Sequence, residues 1–302
     1  MSPRSTCAVC GSAELAPYLS VAGDVGAEGL IPSTSRFGAA LGDIVRCRRC
    51  GHMQLDPLPA EEILAEAYGE AASLHYVGEE AGQRETARRA LERIERYVPM
   101  TGGSPALLDL GCWVGFLLAE ARSRGWRTQG VEPSRFASDY AREQLGLDVI
   151  TAGLFEVELP DRAFDAVTLG DVIEHLRDPA EALARIRERL APGGVVWMAL
   201  PDAGSRVARA LGRRWWSVIP THVQYFTRGS IMRLLVAGGF DVLEAGTAPK
   251  AFTVGYYLGR IGGYSPLASR VLVSAAERAG LAQRMWAPDF RDRISVIARR
   301  TD

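Results

Sequence analysis

Between residues 85 and 300 the apolar positions alternate between two rhythms. The first appears in GQRETARRALERIERYV, where Ala87, Leu91, Ile94 and Val98 recur at helical spacing with charge on the opposite face. The second is the short apolar run bounded by glycine, as in ALLDL over 106–110. Read in order, the chain predicts strands over 106–110, 128–131, 149–151, 166–169, 194–200 and 241–245. Helices are predicted over 116–124, 135–144, 179–190 and 228–237, with further helices inserted before a last strand over 293–298. Strands that alternate with helices make a parallel sheet covered on both faces, the α/β class. Ligands of such sheets bind outside the carboxyl ends of the strands.

The polar residues of interest fall at those ends. The first strand closes on Asp109-Leu110-Gly111-Cys112-Trp113-Val114-Gly115, in which Gly111 permits a tight turn and Gly115 starts a helix close beneath a ligand. The second closes on Glu132-Pro133-Ser134, an acid placed to accept two ribose hydroxyls. The third leads into Ala152-Gly153-Leu154-Phe155 and the fourth into Gly170-Asp171. Asp171 with Glu174 three residues on also fits a helix capping box. A dinucleotide loop requires G-x-G-x-x-G so that a pyrophosphate can approach the backbone; this loop has only Gly111 and Gly115.

Ahead of this region stand two CxxC pairs, Cys7/Cys10 and Cys47/Cys50, each followed by glycine and separated by 36 residues. Four thiolates from two such turns suit tetrahedral, structural zinc with no open position for catalysis. A redox CxxC comes singly at the start of a thioredoxin-like helix, which this segment does not resemble. Residues 1–60 carry five arginines against five acids, and the whole chain 35 basic against 36 acidic side chains, so nothing here tracks phosphates. No apolar run reaches the ~20 residues that span a bilayer, and MSPRSTCAVC lacks the core of a signal peptide. The expectation is therefore a cytoplasmic protein that acts on a small molecule, not at a membrane, with a charge balance that disfavours nucleic acid.

DLGCWVG, GVEPS, FDAVTLGDVIEHLRDP and LAPGGVVWMALPD, in this order, resemble the successive motifs of class I S-adenosylmethionine-dependent methyltransferases. The resemblance covers residues 107–245 and implies a Rossmann-like, mostly parallel seven-stranded sheet flanked by helices. It implies S-adenosylmethionine as cofactor, held by Asp109, Gly111, Cys112, Trp113, Gly115, Glu132, Pro133, Gly153, Leu154, Gly170 and Asp171. The family loop is D-x-G-x-G-x-G, and Trp113 stands here for its middle glycine. S-adenosylmethionine has no phosphate to cradle, which lets the loop tolerate the indole.

The four cysteines, CRRCGHMQLDPLP and the later stretch THVQYFT together resemble sugar and polyketide-tailoring methyltransferases that carry an amino-terminal zinc-binding domain. That resemblance places His222 and Tyr225 on catalytic positions, while Thr221 stands where the group has a glutamate and Ile219 where it has a tyrosine. With that glutamate missing, the expectation is O-methylation of a sugar or other polyhydroxylated small molecule, ahead of C-methylation of a deoxy-keto-sugar. An RNA acceptor and a non-catalytic cofactor-binding protein are the further alternatives. The expected organisation is a four-cysteine zinc-ribbon-like domain over 1–58, linking helices over 59–104, and the methyltransferase domain over 105–302 with helices inserted at about 250–290, in a monomer or homodimer.

Overall fold

The computed structural model describes residues 5–23, 37–64, 77–98 and 103–301. Three strands open the chain: β1 (Leu15–Leu19), β2 (Asp43–Cys47) and β3 (Met53–Asp56). The helix expected from near Ala60 is helical over 61–64, and its continuation lies outside the described residues. The amphipathic pattern at 82–98 forms helix α1 (Glu80–Ile94), which buries Ala87, Ala90, Leu91 and Ile94. The alternating elements follow as β4 (Ala106–Leu110), α2 (Phe116–Ser123), β5 (Arg127–Val131), α3 (Arg135–Leu145) and β6 (Val149–Ile150). After them come β7 (Phe164–Gly170), a 3-10 turn at Ile173–His175, α4 (Pro179–Arg189), β8 (Leu190–Pro201) and α5 (Arg206–Leu211). The carboxyl-terminal part adds β9 (Gln224–Tyr225), α6 (Arg228–Ala237), β10 (Phe240–Thr247) and β11 (Phe252–Thr253). It finishes with α7 (Val254–Arg260), α8 (Pro266–Arg278), β12 (Met285–Trp286) and β13 (Arg293–Arg300).

The main sheet has seven strands in the order β10-β13-β8-β7-β4-β5-β6. Strands β4 to β8 run parallel, and β13 pairs antiparallel with both β8 and β10. Helices cover both faces, so central strands must be apolar throughout; Leu107, Leu108, Ala166, Val167, Val196 and Met198 are all at or near full burial. One face packs with Leu183, Ile186 and Leu234, the other with Leu91, Ile94 and Leu118. The order reverses between β4 and β7, and the crevice beside β4 is where such sheets take a ligand.

A second sheet, β1-β2-β3-β9, is antiparallel and joins the amino-terminal strands to residues 224–225. Its fourth strand, β9, comes from the segment that carries His222 and Tyr225, with Met53 opposite Tyr225 and Gln54 opposite Gln224. The cysteine-bearing strands are therefore fastened across the boundary expected at residue 58. The inserted helices at 250–290 are α7 and α8, clasped by the two-stranded pairing of β11 with β12. Among the described residues, no helix is long and apolar enough to cross a membrane.

Candidate cofactor and acceptor site

The turn after β4 is built by backbone geometry. Gly111 sits at φ 68°, Trp113 at φ 50° and Gly115 at φ 85°. Trp113 thus adopts the left-handed conformation that favours glycine, a strain of about 1–2 kcal/mol for an ordinary residue. The loop is held from the neighbouring strand: Gly111 N and Cys112 N both donate to the Val131 carbonyl. A Cβ at Gly111 would lie 2.6 Å from Val172 Cγ2, so the turn after β7 presses directly on this loop.

Glu132 ends β5 buried, and its carboxylate accepts from Trp113 N at 2.8 Å and Ser134 N at 2.9 Å. A carboxylate has about four acceptor sites, so two remain after these bonds, the number a ribose diol would use. Asp109, at the end of β4, accepts from Thr168 Oγ1 at 2.6 Å. Burial pushes Asp109 up to about 7 against that hydrogen bond, with Glu132 adding to the rise, and burial likewise pushes Glu132 up to about 7. Two buried carboxylates at strand ends make a site that favours a cationic ligand, and S-adenosylmethionine carries both a sulfonium and an ammonium. Glu132 and the loop therefore fit that cofactor. Pro133 and Ser134 lead into α3, whose first turn Ser134 caps by accepting from Ala137 N.

The remaining predicted cofactor residues are distributed as follows. Gly153 and Leu154 follow β6, and Glu156 turns back to accept from Gly153 N at 3.2 Å. Glu156 is an acid near this strand end that sequence reading did not single out, because it lies outside the quoted Ala152–Phe155 stretch. Phe155 is covered by the Arg185 guanidinium, 5.4 Å from its centroid. Cys112 is buried, and burial raises its thiol well above the ordinary range, which suits packing and not reactivity.

Gly170 ends β7. Asp171 follows at φ 58° and does not form the expected capping box; Asp178 caps α4 instead, accepting from Ala180 N and Glu181 N. The reason is long-range pairing: Lys250 and Arg293 each reach the Asp171 carboxylate at 2.5 Å. Burial opposes ionisation there, but Arg293 and Lys250 together hold the carboxyl below the usual range.

The 3-10 turn then brings Glu174 and His175 against the segment that leads into β9. His175 Nδ1 lies 2.9 Å from the Thr221 carbonyl, and His222 Nδ1 lies 2.8 Å from the Ser217 carbonyl. A carbonyl only accepts, so both Nδ1 atoms carry the proton and Nε2 is the acceptor nitrogen of each neutral ring. The two rings meet edge to face with centroids 4.6 Å apart. Burial lowers His175 to about 4, and burial with the neighbouring His175 holds His222 well below its ordinary value. Tyr225 packs 6.4 Å from His222, and burial raises its phenol well above the ordinary range. The pair Glu174 and His175 was not chosen as a site from the sequence; only their contact with His222, 47 residues on, marks them.

Trp215 and Trp216 separate in role. Trp215 is buried in the core under the second sheet, and Trp216 packs edge-on against Phe290.

At the other end of the second sheet, Cys7 Sγ lies 3.5 Å from Cys50 Sγ, Cys10 Sγ lies 3.6 Å from Cys47 Sγ, and all four fall within 4.8 Å of one another. Zinc–sulfur bonds of ~2.3 Å in a tetrahedron place sulfurs about 3.8 Å apart, so the donor set fits that ion. Gly11 and Gly51, both at positive φ, close the two knuckles by donating to the Cys7 and Cys47 carbonyls.

Comparison with known proteins supplies the family. Residues 82–245 match a methyltransferase domain family, more than half of the chain. A malonyl-[acyl-carrier protein] O-methyltransferase of Serratia marcescens is 32% identical over 137 residues, 44% of this chain and 53% of that protein. A ubiquinone biosynthesis O-methyltransferase of Aeromonas salmonicida is 32% identical over 168 residues, 50% of this chain and 70% of that protein. For the first curated relatives the match spans 30%, 53% and 47% of their length. A Bacillus halodurans structure described as a methyltransferase shares the fold at TM-score 0.50 and 13% identity, over 72% of this chain and 99% of that one. With a seven-stranded sheet of matching type, a glycine turn and acid at the first two strand ends, and this family match, the chain belongs to the class I S-adenosylmethionine-dependent methyltransferases.

Proposed function

We propose that the protein methylates a hydroxyl oxygen of a polyhydroxylated small molecule, sugar-like in character. The observation that carries this reading is the pair of neutral imidazoles, His175 and His222, fixed by backbone carbonyls beside the turn that presses on Gly111. When bound, S-adenosylmethionine supplies a methyl group activated by its sulfonium. Glu132, Asp109 and the loop from Gly111 to Gly115 hold and orient it. The chain's own part in the reaction is then alignment, together with removal of the acceptor proton, since a neutral hydroxyl is a weak nucleophile. That proton leaves towards the Glu174–His175–His222 group, in which His222 presents an acceptor nitrogen. Tyr225 keeps its proton and shapes the wall. The names of the two relatives, both O-methyltransferases, support oxygen as the atom methylated.

Zinc at Cys7, Cys10, Cys47 and Cys50 belongs to the same reading as a structural ion. It would stiffen the sheet that ends in β9 and so fix the segment that carries His222 and Tyr225.

The test is release of S-adenosylhomocysteine across a panel of sugars, nucleotide-linked sugars and phenols. Turnover with a hydroxylated acceptor, reduced at least about tenfold in kcat by His222→Asn with cofactor affinity kept, supports the reading. Turnover that is indifferent to His222→Asn removes His222 from proton transfer.

A further inference from the structure

Glu174 is 2% exposed, and among the described residues neither of its carboxylate oxygens has a hydrogen-bond partner. Leaving such a group buried without a donor costs free energy, more when it is charged. Its nearest functional neighbours do not supply donors. His175 and His222 each spend their Nδ1–H on a backbone carbonyl, so the nitrogen each ring turns to other partners is a lone-pair acceptor. One ligand atom from each of Glu174, His175 and His222 lies within 4.8 Å of the other two. Three possible ligand atoms therefore gather at one buried place, where the nearest cations, Lys250 and Arg293, are spent on Asp171 and act on Glu174 only through their charge.

The second shell has the form that metal-binding histidines use. An Nδ1–H bonded to a main-chain carbonyl fixes ring and tautomer and leaves Nε2 to ligate. The elements that hold the three residues are rigid: a 3-10 turn after a central strand, and the segment leading into β9, which is paired to β3. Gln224 ties the two together by donating to the Leu176 and Arg177 carbonyls.

We infer that Glu174, His175 and His222 form a second metal site, distinct from the four cysteines, that takes a divalent first-row cation. Two imidazoles and one carboxylate suit manganese, iron or zinc, and leave coordination positions open to an oxygen ligand. The site adjoins the cofactor loop through Val172; an ion bound there would polarise an acceptor hydroxyl and so replace proton removal by His222, whose ring nitrogen it would occupy. That role in transfer rests on the O-methylation reading; ion binding itself does not.

The experiment is a manganese titration of the full chain, first given one molar equivalent of zinc, which the four thiolates take in preference, and read by electron paramagnetic resonance. Hard manganese does not compete for a four-thiolate site, so the signal counts the new site alone. One bound manganese ion per chain is expected, with affinity reduced about tenfold or more in Glu174→Gln and again in His222→Asn, while circular dichroism and zinc content stay native. Absence of bound manganese in the native chain overturns the site and assigns a proton to Glu174. Binding that survives both substitutions overturns it equally. Calorimetry with S-adenosylmethionine on the same samples keeps this result separate from failure of the methyltransferase reading, because the cofactor residues are not the ones changed.

Discussion

In the proposed cofactor site Glu132 is the residue that would join loop to ligand, since its carboxylate accepts from Trp113 N and Ser134 N while two acceptor sites remain for a diol. Glu132→Gln is expected to weaken S-adenosylmethionine binding by roughly ten- to a hundredfold, the worth of one to two charged hydrogen bonds, measured by calorimetry. Burial raises both Asp109 and Glu132 to about 7 in the free protein, whereas unfolded carboxyls titrate near 4. The folded chain therefore binds more protons than the unfolded one between those values, and these two groups lower stability as pH rises from about 4 to about 7. A cationic ligand favours their ionised forms. Cofactor affinity should thus rise between pH 6 and 8, with protons released on binding; calorimetry in buffers of different ionisation enthalpy reads both. Trp113 makes a third case: it holds φ 50° where glycine would be unstrained, so Trp113→Gly should keep cofactor affinity within a few-fold. A β-branched residue there, Trp113→Val, should lose it, because that backbone is costlier still for such a side chain.

At the scale of elements, β9 connects the cysteine-bearing strands to the segment that carries His222 and Tyr225. His52, beside the second knuckle, meets Gln224 at 2.9 Å, and Gln224 reaches across to the turn that carries His175. Gln224→Leu removes these bonds while keeping bulk. The expected result is a raised KM for acceptor with cofactor affinity unchanged, since the Gly111 loop is held from β5 instead. Cys47→Ala should release the thiolate-bound zinc and disorder β2 and β3, seen as metal loss and a lower thermal midpoint; a metal-free chain with the native midpoint would contradict the structural role. β9 could not be read from the sequence: two residues have no periodicity, and they are a strand only because β3 lies beside them. The same holds for Asp171, whose local pattern suggested a cap while Lys250 and Arg293, far along the chain, determined its conformation.

For the whole molecule, the β/α alternation was legible because a sheet covered on both faces needs apolar strands and each crossover helix needs one apolar face. ALLDL and the glycines after it named the cofactor end of the sheet without any contact map. The proposed acceptor end was less legible, because Glu174, His175 and His222 meet only through folding. The central claim is that this crevice holds S-adenosylmethionine, and calorimetric titration of the purified chain with S-adenosylmethionine, S-adenosylhomocysteine and NAD tests it most directly. The account predicts micromolar or tighter binding of the two sulfur ligands and none of NAD. Binding of NAD, or of neither sulfur ligand, would contradict it.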